Sequence, residues 1–173
     1  MLSRRLKKVP TSRYGYLLLI FLALLIELSI LNSFRIGNLK PDLLLILVVY
    51  FALRRGARFG AEVGIVSGLL KDMASGAFFG THAAAFWLCG FLVGREKSKI
   101  YEDQFLAQII VVALSSLFVS VVYFMTRRLF SPNEASGTFP VYLPILLSVY
   151  TSLIAPFLFK LLDKAGFSGR ARP

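Results

Sequence analysis

Residues 54–80 read RRGARFGAEVGIVSGLLKDMASGAFFG, and their spacing decides the fold. Glycine returns at every fourth position, at Gly56, Gly60, Gly64 and Gly68; Asp72 follows, then Gly76 and Gly80. The residues between are mostly apolar. A helix sets residues i and i+4 on one face, so Gly56 to Gly68 make a groove without side chains, and Asp72 lies one turn beyond it. Four residues overshoot a 3.6-residue turn by ~40°, so the stripe drifts, and a partner helix following it crosses at an angle, as in small-xxx-small packing within bilayers. Each glycine costs a water-exposed helix ~1 kcal/mol. Four in one helix are explained most simply by close approach of another backbone.

Composition places that helix in lipid. The chain has 173 residues, 57% of them hydrophobic, and a mean hydropathy of +0.71. Soluble domains are ~45–50% apolar even with glycine counted. Several apolar runs approach the ~20 residues that cross ~30 Å of hydrocarbon. The expected fold is an all-α integral membrane protein, one compact bundle of six spans over residues 1–173 with short basic tails. The spans are placed at about 15–34, 41–55, 59–74, 77–94, 105–125 and 141–162. The first apolar run is longer than a signal-peptide core and has no small-residue cleavage site after it, so it reads as an uncleaved span. The second is the shortest, and needs Arg54 and Arg55 to snorkel or the bilayer to thin.

The net charge of +11 comes from 20 Lys and Arg against 9 Asp and Glu. On a soluble protein it would point to nucleic acid. Here the bases flank apolar runs, so no nucleic-acid partner is expected. If all six spans cross, the N-terminal tail, the Arg54–Arg58 turn, the Arg95–Lys99 loop and the C-terminal tail share one side. The positive-inside rule makes that side cytoplasmic, with both termini inside.

Chemistry-bearing residues are few. Glu27, Glu62, Lys71, Asp72 and His82 fall at membrane depth or its edge, where charge costs ~2.5–3.5 kcal/mol on insertion scales and side chains turn to protein or water. Glu27 has no partner on its own span and is read as a polar contact across helices. Pro41 suits a helix's first turn, and Asp42 beside it complements the helix dipole. Asp72 is read first as a cap on span four, accepting from Gly76 and its neighbours, with a binding or proton-relay role second. Lys71, adjacent to it, is expected to snorkel outward. His82 is the only histidine and reads as packed and hydrogen-bonded, since one histidine makes no metal constellation. Gly90 and Gly94 are a second small-residue pair. Cys89 is the only cysteine and reads as inert core. No catalytic set, cofactor loop or metal cluster is visible, and no enzyme activity is expected.

Lys40-Pro41-Asp42-Leu-Leu-Leu, the Arg54-Arg55-Gly56 turn, Gly68-Leu-Leu-Lys-Asp72, Ser75-Gly76 and Gly80-Thr-His82 together resemble the MreD family of rod shape-determining proteins. The resemblance is densest over residues 40–94, and Lys71 departs from it, standing where an apolar residue is usual. It implies a non-enzymatic inner-membrane subunit of the bacterial cell-elongation machinery, which builds lateral-wall peptidoglycan. The implied partners are MreC, a single-span protein, and through it the MreB filament, the glycosyltransferase RodA and its transpeptidase. A homodimer is left open. The implied fold is similar to the substrate-binding subunits of vitamin importers.

Two other functions compete. A small-molecule-binding importer subunit would use Asp72, His82 and Glu27 as ligand contacts, but Leu17–Ile26 lacks the Ala-x-x-x-Ala pair common in such subunits. A proton-coupled transporter needs a connected polar path, for which these groups are too few.

Overall fold

A computed structural model of the protein describes residues 13–33, 40–75, 78–98, 104–130 and 142–167. Within them the chain forms six α-helices and no strand: α1 Arg13–Ser33, α2 Leu43–Arg55, α3 Ala57–Ser75, α4 Thr81–Arg95, α5 Phe105–Phe130 and α6 Tyr142–Lys164. The all-α expectation therefore holds among the described residues.

The shortest apolar run turns out to be the centre. Every residue of α2 from Leu44 to Leu53 is buried, and α2 touches each of the other five helices. A helix that is apolar all round has to be enclosed. Its 13 residues reach only ~20 Å, but a helix sheathed by its neighbours does not have to match a bilayer with its own length. Around it Ile20 and Leu24 of α1, Val63 of α3, Phe86 of α4, Val112 of α5 and Phe159 of α6 complete one core.

α5 and α6 are long and apolar enough to cross a membrane. Their buried faces mix small polar with apolar side chains, and their outward faces are apolar. α5 buries Gln108, Ser115 and Ser116 while exposing Leu106, Ile110, Leu114 and Phe118. α6 buries Ser148, Thr151 and Ser152 while exposing Val149, Leu153 and Phe157. Small hydroxylated residues let helices approach, and the outward apolar stripe suits lipid or another apolar surface.

Two helix ends lie more than two residues from the expected span limits, for identifiable reasons. α4 begins at Thr81 rather than near Ala77, because Gly80 sits in the left-handed region at φ +99° and starts the helix there. α5 runs on through Arg127 and Arg128 to Phe130, since nothing in that basic pair breaks a helix. α1 packs on α2 and α3, whereas α6 packs on α2 and α5. Among the described residues the backbones of α1 and α6 do not come together.

Candidate functional site

The glycine stripe is consumed within the chain. Its partner is α4, which runs antiparallel to α3 as the nearest pair in the bundle. A methyl group on Gly60 would lie 2.6 Å from both the Ala52 methyl and the Gly90 carbonyl oxygen. On Gly64 it would overlap the Phe86 carbonyl, on Gly68 the Ala83 backbone, and on Gly90 the Gly60 carbonyl. On Gly94 it would lie 2.5 Å from Ala57 N. All of these obstacles except the Ala52 methyl are backbone atoms, which cannot swing aside as a flexible side chain does. Gly56 serves differently. It closes α2 at φ +94°, a left-handed conformation that lets α3 start at the next residue.

One turn past the stripe, Asp72 caps α4 from the neighbouring helix. Its Oδ2 accepts from Gly80 N at 2.9 Å and Ala83 N at 3.2 Å, and its Oδ1 from His82 N at 3.1 Å. These are orphan donors of a helix start, and Gly80 has no side chain to satisfy them. The donors come from Gly80 onward; Gly76 lies outside the described residues. His82 Nδ1 is 2.7 Å from the same Oδ1. A carboxylate only accepts, so Nδ1 carries the proton. The imidazole packs against Phe86 and Tyr123.

The adjacent lysine turns inward. Lys71 Nζ lies 2.6 Å from Asp42 Oδ2 and 3.1 Å from Glu27 Oε1, with only 16% of its side chain exposed. It also sits over the Phe86 ring. Outward snorkelling, the sequence expectation, gives way to two carboxylates within reach on α1 and at the start of α2. Glu27 thus has its cross-helix partner, and its other oxygen accepts from Leu44 N at 3.4 Å. Asp42 is the N-cap of α2, its Oδ1 accepting from Leu45 N at 3.0 Å, and Pro41 is buried just before it. The Asp42 backbone N–H donates to Thr151 of α6. One ammonium and two carboxylates therefore join α1, α2 and α3, and Thr151 adds α6.

The opposite end of α2 has its own lock, which sequence reasoning missed. Tyr50 Oη donates to Asp163 Oδ1 at 2.8 Å, and the Arg54 guanidinium pairs with Asp163 Oδ2. Arg55 lies over Phe59 and Phe51. An aspartate among apolar and basic residues late in α6 was the available signal.

At the Asp42 end a cavity of about 640 Å³ opens between the helices. Glu27, Lys40, Lys71, His82, Tyr123 and Arg127 line it, along with apolar side chains of α1 and α6. Of the residues singled out from sequence, the fold brings Glu27, Asp42, Asp72, Gly80 and His82 to this end. The six packing glycines lie along the α2–α3 turn and the α3–α4 seam.

No curated protein and no solved structure matches the chain. A family model described as rod shape-determining protein MreD matches residues 12–165. That match takes in all six helices, from Arg13 to Lys164, far beyond the motifs between Lys40 and Gly94, and so the chain belongs to the MreD family of rod shape-determining proteins.

Proposed function

We propose that the chain is a non-enzymatic scaffold subunit of the bacterial cell-elongation complex. It crosses the inner membrane six times with both termini cytoplasmic. It binds an MreC-like single-span protein, and through it the MreB filament, RodA and its transpeptidase, so that lateral-wall peptidoglycan synthesis is organised along the cell. The observation that carries this is the family match over residues 12–165. The outward apolar faces of α5 and α6 support the membrane placement, because their exposed leucines and phenylalanines favour a non-aqueous surrounding.

The partner's contact does not use the glycine stripe. The stripe is filled by α4, which leaves the outward apolar faces of α1, α5 and α6 for a second transmembrane segment or a second copy of the chain. The test is recovery of the MreC-like protein with the tagged full chain from detergent extracts. Recovery in constant ratio supports the assignment, and absence of the MreC-like protein at normal expression overturns it.

A second reading, a small-molecule-binding subunit of an importer, has the cavity in its favour. It requires the purified protein to carry a stoichiometric water-soluble compound.

A further inference from the structure

We propose that the cavity between α1 and α6 binds an anionic amphiphile, a phosphate-type head group on an apolar chain, taken from the surrounding lipid. The inference goes beyond the scaffold role and shares with it only the placement of the bundle in a membrane.

The cavity's size suits such an occupant. About 640 Å³ falls within the ~300–1,000 Å³ typical of small-molecule sites. Its two sides differ in chemistry. Leu24 and Leu28 of α1 face the space from one helix, Leu143 and Leu147 of α6 from the other. The backbones of these two helices stay apart, and beside the gap the helices expose Leu25, Ile145 and Leu146. An apolar chain gains from that passage, at roughly 25 cal/mol per Å² buried, and a small polar solute does not.

The remaining wall carries Lys40 ahead of α2, His82 of α4, and Tyr123 and Arg127 one turn apart on α5, three separate parts of the chain. The acidic groups near it are already satisfied. Glu27 and Asp42 share Lys71 and each accepts a backbone N–H. Asp72 accepts three backbone N–H groups and the His82 ring. By contrast, Lys40 has no ion pair among the described residues, and the Tyr123 hydroxyl has no hydrogen-bond partner among them. Carboxylates spent on protein donors, beside an unspent ammonium and hydroxyl, favour an anion over a cation. Phosphate fits Lys and Arg donors together, and the apolar passage selects a lipid as its source over free phosphate.

The experiment uses the full chain in neutral detergent, offered dioleoyl phosphatidylglycerol or dioleoyl phosphatidylcholine and read by native mass spectrometry. One phosphatidylglycerol per chain should survive activation that strips phosphatidylcholine. Millimolar inorganic phosphate should not displace it. Lys40→Gln, and separately Leu147→Trp, which fills the apolar side, should each lower retention about tenfold, equivalent to ~1.4 kcal/mol. Lys40 caps no helix, so its variant keeps the test informative if Leu147→Trp fails to fold. Normal recovery of the MreC-like protein with Lys40→Gln, alongside lost lipid retention, separates this site from the scaffold role. Equal retention of both lipids, or retention unchanged in Lys40→Gln, means annular lipid only and overturns the proposal. Displacement by inorganic phosphate overturns its lipid source.

Discussion

Lys71 Nζ lies 2.6 Å from the Asp42 carboxylate, 29 positions away in the chain, and this contact fixes the start of the buried central helix against the end of the glycine helix. With Glu27 on the far side of the ammonium, two negative groups depend on one positive one. Burial makes that dependence expensive to break. Lys71→Met should destabilise the protein by about 3–5 kcal/mol, the usual cost of stranding a buried charge. Lys71→Met combined with Glu27→Gln should recover part of the loss, because one stranded carboxylate is gone. Thermal unfolding in detergent measures both, and a Lys71→Met variant as stable as the parent contradicts the arrangement.

Gly68 and Gly80 separate two uses of glycine. Gly68→Ala overlaps the Ala83 backbone, whereas Gly80→Ala meets nothing within 4 Å but must hold φ +99°. The first should cost about 3 kcal/mol or more by forcing α3 from α4. The second should cost ~1–2 kcal/mol from backbone conformation alone. Unfolding midpoints of the two variants give the order, and the reverse order would show that α3 and α4 are not in backbone contact.

Asp72 holds three backbone donors and one imidazole at the start of α4. Asp72→Ala strands them and should cost about 3 kcal/mol, above the ~1 kcal/mol of an ordinary cap. Asp72→Asn puts an amide donor against donors and should recover little. Hydrogen exchange at residues 80–83 locates the effect. Unchanged protection there in Asp72→Ala would remove the aspartate from its capping role.

At the other end of α2, Tyr50→Phe removes one hydrogen bond to Asp163 and should cost ~1.5–3 kcal/mol, since the acceptor is charged. Asp163→Ala should cost more than Tyr50→Phe, because it also takes a carboxylate from Arg54, whose side chain is only 5% exposed. Melting curves of the pair decide the order.

Much of this was legible in the residues. The four-residue glycine period announces a seam of bare backbone, and the seam exists. Its occupant was not legible, because Gly90 and Gly94 show only that α4 carries a groove of its own, and a groove can serve any helix. Asp72 reads as a cap from its place one turn past the stripe. Lys71 does not read correctly, since adjacency to Asp72 fixes that the two side chains diverge but not which one turns inward. That depends on Glu27 and Asp42, brought near only by the packing of α1 and α2. The central place of α2 is hidden for another reason. A run that is apolar on all sides has no periodic face to show what surrounds it.

The placement in the membrane is tested most directly by labelling single cysteines in a Cys89→Ala background with a membrane-impermeant maleimide. Leu129→Cys and Tyr142→Cys flank the α5–α6 connection at exposed positions. Ser98→Cys and Lys164→Cys lie at the other end of the bundle, at exposed positions. Six crossings with both termini inside predict that the first two react in intact cells and the last two only after permeabilisation. Reaction of Leu129→Cys and Lys164→Cys from the same side of the intact membrane would contradict it.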